Sequence, residues 1–238
     1  MMIARRDLSL PLAAAALGMS VASCSVFLPA RVNVERAVLD QMPMELPQGE
    51  KGPASLLVYP PETAPRFDTP QMAYRTDPHQ IAFFTRREWA ETPSQMLHPL
   101  LLKALEESHS FSAVLVPPYA GHYTYALRTQ ILELTQDFTS ATPLFGLTIR
   151  IELSDYAAQR VIATKEISLQ EPMQGRTSYA GVAAANLATA RALRDVAAFL
   201  LEQTDKDSTT GLSPATSFST LHPSTQNGVP RPPRYEPR

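Results

Sequence analysis

Cysteine is almost absent: Cys24 is the only one in 238 residues. One thiol cannot close an intrachain disulfide, and without further thiols or clustered histidines nearby it cannot build a structural zinc site. An excess of charge is missing too. Lys and Arg number 21 against 23 Asp and Glu, a formal net charge of −2, so the chain has no basic footprint for nucleic acid. Past the N-terminal region no apolar stretch approaches the length of a membrane-spanning helix. Catalytic signatures are also lacking, with no G-x-S-x-G, H-E-x-x-H, P-loop or dinucleotide fingerprint. His79, His98, His109, His122 and His222 are scattered, and none has a partner at ligand spacing. No catalytic residue, metal site or cofactor is therefore expected.

What surrounds the lone cysteine is informative. Arg5 and Arg6 precede a mostly apolar run, "LSLPLAAAALGMSVA", that ends in small residues. This is the layout of a bacterial secretory signal, and the run is too short and alanine-rich for a membrane span. The arginine pair also resembles a twin-arginine export signal. Val21, Ala22 and Ser23 stand immediately before Cys24, a pattern that resembles a lipobox, where the thiol is joined to diacylglycerol and the signal is cut just before it. The competing uses of a lone cysteine are an inert buried thiol, a nucleophile and an intermolecular bridge. On the lipobox reading residues 1–23 are removed and Cys24 becomes an acylated first residue, with palmitate among its chains. Losing Arg5, Arg6 and Asp7 takes the net charge from −2 to −3.

Residues 24–53, with Pro29, Pro43, Pro47 and Pro53, read as an extended tether with little regular structure. Residues 54–203 are one domain's worth of chain. Residues 204–238 are rich in Ser, Thr and Pro and are expected to be disordered.

Within the domain, "ASLLVYP" is a candidate buried strand, and residues 71–86 read as a hairpin around Asp77 and Pro78. Thr92, Pro93 and Gln95 supply an N-cap, a first-turn proline and a capping-box partner. Met96, Leu97, Leu100, Leu101, Ala104 and Leu105 then recur at helical spacing. Pro99 predicts a kink there, or a regular helix beginning only near Pro99. "SAVLVP" follows as a strand, parallel to the first. Three more strands, about 125–138, "LFGLTIRIELS" and "RVIATKEISLQ", form an antiparallel meander, the middle one alternating apolar and polar. A closing helix over 178–203 carries Tyr179, Val182, Asn186, Ala190, Leu193, Ala197 and Leu200 on one stripe. Asn186 is expected to be a core amide with a local hydrogen bond, or a residue at the stripe's edge. The fold class is α+β, a mostly antiparallel sheet with two helices packed on one face.

Four aromatics are candidates for a partner surface: Trp89 in "RREWAE", and Tyr119, Tyr123 and Tyr125 around Gly121. For Trp89 the plainer reading is a core residue covering the helix end, and the sharper one an interface anchor.

Residues 54–203 resemble the ABC-type transport auxiliary lipoproteins, which include YmbA-like paraquat-inducible lipoproteins encoded with mammalian-cell-entry (MCE) domain transporters. The resemblance rests on Phe67, Asp68, Pro70 and Gln71 in the turn, Trp89, Ala90 and Glu91 before the first helix, and Ala190, Leu193 and Leu200 in the last. It implies a fold like the N-terminal domain of TolB. It also implies a non-enzymatic periplasmic component beside a permease, an ATPase and an MCE-domain protein, in lipid transport. Ser25 follows Cys24 where aspartate is the usual inner-membrane retention signal in enteric bacteria, which favours the outer membrane. A homo-oligomer stays open. So do two other classes: a lipoprotein that holds lipid in a cavity between sheet and helices, and a lipoprotein hydrolase.

Overall fold

The computed structural model describes residues 33–211. Cys24, the segment 1–23 and the residues beyond 211 lie outside this range.

One long strand, β7 (Tyr125–Asp137), is the spine of a nine-stranded sheet. On one side it pairs antiparallel along its whole length with β8 (Leu144–Asp155), which pairs antiparallel with β9 (Arg160–Pro172). This is the expected meander. Phe145, Leu147, Ile149, Ile151 and Leu153 of β8 are all buried, while Arg150 between them is exposed.

The other edge of β7 is shared by three short strands in succession. β2 (Ser55–Val58) pairs with its start, β3 (Glu62–Thr63) with its middle and β4 (Gln71–Arg75) with its end, all parallel. The breaks fall where Pro60, Pro61, Pro65 and Pro70 stand, because a proline has no N–H to give the ladder. β4 continues as the expected hairpin into β5 (Ala82–Trp89), and β6 (Ala113–Leu115) lies parallel on β2. The short β1 (Glu35–Ala37) adds parallel to β5. The sheet is thus mixed, which corrects the expectation of a mostly antiparallel one. Placing β2, β3 and β4 along one edge of β7 makes each of those pairings parallel.

The first helix, α1 (Pro93–Glu107), is fastened as its sequence predicts: the Gln95 side-chain oxygen accepts from the Thr92 N–H at 3.1 Å. It runs unbroken through Pro99. Pro99 is exposed, as is Gln95 one turn earlier, so water can take the carbonyl that the proline leaves without a donor.

The second helix, α2 (Ser178–Gly211), outruns its expected end and displaces the start of the Ser/Thr/Pro-rich tail. Asp207 holds this last stretch, accepting from Tyr125 Oη at 3.1 Å and pairing with Arg160. Tyr179 leaves the predicted stripe and is 72% exposed. The buried face is wider than one stripe, including Ala184, Ala185, Ala188, Ala192, Val196 and Phe199.

Residues 33–53 are not a free tether. Apart from β1 they are irregular, yet they pack as a strap across the helices, with Leu39 buried and Met42 and Leu46 against the core. At one end Asn186 clasps the strap. Its Oδ1 accepts from the N–H of Asp40 (2.8 Å) and Gln41 (3.1 Å), and its Nδ2 donates to Val38 O (3.1 Å) and Val182 O (3.2 Å). At the other end Gln48 Nε2 donates to Glu107 O (3.2 Å) and Gly49 N–H to Ser108 O (3.1 Å). The strap thereby satisfies carbonyls that the end of α1 leaves open. A Cβ at Gly49 would meet Ser110 Oγ at 2.7 Å and Leu201 Cδ1 at 2.8 Å, so any larger residue there requires those side chains to shift.

One buried amide is unsatisfied. A register shift in β7 between Ile131 and Glu133 turns Leu134, Gln136 and Phe138 towards the core, after Tyr125, Leu127 and Ile131. Gln136 is 1% exposed, and neither polar atom of its side chain has a partner. It lies against α2 so closely that a Cβ at Gly181 would sit 2.1 Å from its Cδ. Since an unpaired buried polar group costs roughly 1–3 kcal/mol, the similarly sized Gln136→Met is expected to raise stability by about 1–2 kcal/mol. A urea midpoint unchanged or lower in that variant would contradict this account.

Candidate docking surface

At the end of the domain where α2 finishes, the strand ends and turns gather tyrosines. Tyr125 is 4% exposed; burial first, and then the Asp207 charge, raise its pKa above the ordinary tyrosine value. It is a fastening for α2 and not a surface group. Trp89 is likewise withdrawn from the candidate surface. At 2% exposure it is core, and its backbone N–H donates to Pro70 O at 2.7 Å, joining the turn to the start of α1.

Tyr119 and Tyr123 are on the surface. Tyr119 is 43% exposed and folds back over Gly121, where a Cβ would lie 2.5 Å from its Oη. Tyr123 is half-buried and packs on Tyr156 with ring centroids 4.3 Å apart and the rings tilted by 43°. Beside them Arg128 lies over the Tyr59 ring, 4.3 Å from its centroid. Desolvation and the adjacent Tyr59 hydroxyl raise the Tyr123 pKa. Tyr59, Tyr123, Arg128 and Tyr156, with Arg160 and Val161, line an open cleft of about 230 Å³.

Tyr59, Arg128 and Tyr156 were not candidates from sequence, though strand register holds the signal. Tyr125 pairs with Asp155, and the Tyr156 N–H donates to Thr124 O at 3.0 Å. That register places Tyr156 opposite Thr124, on the face that carries Ala126 and Arg128, and Tyr123 reaches it from outside the ladder. Tyrosine and arginine, rigid or planar and able to stack and hydrogen-bond, are the residue types that carry the energy of protein interfaces.

Other places carry less. A polar cleft of about 640 Å³ is lined by Arg75, Glu133, Arg150 and Glu166 among others. Arg75 pairs with Asp137 at 2.8 Å and Arg150 with Glu166 at 3.0 Å, so its charges are largely spent on one another. The layer between sheet and helices is filled by Leu101, Ala104, Leu127, Ile151, Leu193 and Leu200, each at most 1% exposed. A lipid-holding chamber at that place therefore has no room. His79 and His109 occupy positive-φ positions, and the buried His98 Nε2 has no partner. Among the described residues no group of His, Cys, Asp and Glu is arranged to hold a metal ion, and no helix is long and apolar enough to cross a membrane.

Residues 38–197 match the family model described as the ABC-type transport auxiliary lipoprotein component. The match begins within the strap, consistent with its being part of the domain. Among solved structures, a Xanthomonas campestris protein of family model DUF330 superposes with a TM-score of 0.64 at 21% identity, covering 74% of this chain and 99% of its own. An uncharacterized protein superposes with a TM-score of 0.57 at 12% identity, over 71% of this chain and 99% of its own. At these identities the likeness is one of fold. No curated protein matches the sequence significantly.

Proposed function

The chain belongs to the ABC-type transport auxiliary lipoprotein family, and from that premise we propose that it is a lipid-anchored, non-enzymatic accessory of an ABC/MCE lipid transporter. Cys24 carries the anchor, and Ser25 favours the inner leaflet of the outer membrane. The folded domain docks on the MCE-domain partner through the tyrosine–arginine surface, positioning the conduit with no bond made or broken. Tethering to the membrane raises the local concentration of a weak docking partner without any new contact.

The observation that carries the docking surface is the Tyr123–Tyr156 ring contact beside Arg128 and Tyr59. It lies at the end of α2 remote from the Asn186 clasp. From Asn186 to Asp207 the helix spans about 30 Å, at about 1.5 Å per residue.

The test is affinity purification of the acylated chain from solubilised membranes. MCE-domain, permease and ATPase components are expected in the eluate by mass spectrometry. Tyr123→Ala/Tyr156→Ala is expected to lower their recovery at least about tenfold, as loss of one or two hot-spot contacts does, with unchanged thermal unfolding. Absence of every transporter component from the parent eluate would remove the proposal. Undiminished recovery by the double variant would move the docking surface elsewhere.

A further inference from the structure

The end of the domain opposite the tyrosines has a different surface chemistry. Val38 and Leu187 are each 47% exposed and Met44 is 100% exposed. Two open grooves flank the strap there. One, of about 500 Å³, lies between Met42–Met44 and Leu187 and Ala190 of α2. The other, of about 420 Å³, lies between Val38–Asp40 and Met96, Pro99 and Leu100 of α1. Exposed apolar side chains beside unfilled grooves mark a surface with a partner.

Chain connectivity selects the partner. β1 leads directly into Val38, so the polypeptide enters the described domain beside these grooves. Nine peptide steps separate Cys24 from Asn33, a reach of at most roughly 30 Å. An acyl group so attached keeps this end close to a bilayer.

We propose that this end is a bilayer-contact surface, with Val38, Met44 and Leu187 resting at the headgroup–acyl boundary of the membrane that holds the anchor. This rests on the lipid-anchor reading of Cys24. Arg191 and Arg194 line the α2 groove, where their aliphatic stems can lie along apolar surface with the guanidinium groups at phosphate depth. Arg191 is also braced by Glu171, at 2.6 and 2.8 Å. Asp40 and Glu45 stand on the same rim and keep the contact shallow. The domain then stands on its membrane through the strap end and holds the tyrosine surface outward.

The test uses the purified, acylated mature protein in phosphatidylcholine/phosphatidylglycerol vesicles, with and without brominated acyl chains. Met44→Trp and Leu187→Trp are compared with Val161→Trp, a position 52% exposed at the tyrosine end, and with the parent, whose Trp89 is buried. A side chain held about 5–10 Å into the boundary is within reach of the bromines, so emission from the variants at 44 and 187 is expected to shift to the blue and fall about twofold. The Val161→Trp variant is expected to be unchanged. Equal quenching at all three positions, or none, overturns the proposal. So does a blue shift without bromine quenching, which would mean a protein such as a second copy in the groove. Intact mass of the same preparation reports acylation separately; a chain without acyl mass overturns the anchor, whereas an acylated chain without quenching overturns only the contact surface.

Discussion

With its signal replaced by one that an ordinary signal peptidase removes, Cys24→Ala is expected in the soluble periplasmic fraction, with no incorporation of labelled palmitate. The parent is expected in the membrane fraction and labelled. The effect should be near complete because of the energies involved. Each buried methylene contributes about 0.8 kcal/mol, one acyl chain gives only marginal reversible binding, and two give stable anchoring. The shallow contact proposed for Val38, Met44 and Leu187 is too small to replace two chains, so it should not retain the variant. Full membrane retention of Cys24→Ala would show that something other than the thiol holds the protein. Labelling of the variant would put the acyl group at another residue.

The second large effect is expected in Asn186→Ala. The Asn186 amide makes four hydrogen bonds, three of them to backbone groups of Val38, Asp40 and Gln41. Truncation removes all four at once and leaves the strap's groups to water or to nothing. At roughly 0.5–1.5 kcal/mol for each bond lost, a loss of about 2–6 kcal/mol is expected. In a domain of this size that lowers the melting temperature by about 4–24 °C. The Asp40 and Gln41 amides should lose hydrogen-exchange protection together. Asn186→Asp is the informative companion. It keeps an acceptor for those two amides but sets a carboxylate oxygen against Val38 O and Val182 O, so it should restore little. Stability within about 0.5 kcal/mol of the parent in both variants would mean that Leu39 and its neighbours hold the strap without the clasp.

Legibility from sequence followed the range of the interactions. The capping box at Thr92 and Gln95, the 71–86 hairpin and the β7–β8–β9 meander depend on residues close in sequence, and all three are present. The parallel pairings of β2, β3 and β4 along β7 depend on partners 60 to 70 residues away, and no local pattern announces them. The strap misled for a related reason. Its prolines read as a tether, yet past β1 the segment joins no ladder and has little need of the N–H groups prolines lack, and Leu39 is buried by a groove that exists only once both helices are in place. For the candidate surface, composition pointed to Tyr119 and Tyr123, and burial removed Trp89 and Tyr125. Tyr156 and Arg128 share a face through strand register and alternation, whereas Tyr123 meets them from a loop whose path no ladder fixes. The proposed anchor at Cys24 lies outside the described residues and rests on the sequence alone.

The clasp also sets an order of folding. Asn186 meets residues 145 to 148 positions earlier in the chain, so the strap cannot be locked until nearly the whole domain has been delivered. Contacts of such long sequence separation form slowly, because loop closure precedes any gain. The meander, with its short connections, can assemble first. The strap must then wait for α2, and until it closes the grooves that will receive Leu39 and Met42 stay open. The interval between export and closure is therefore when the chain is most exposed to aggregation, and when binding by a periplasmic chaperone would matter most.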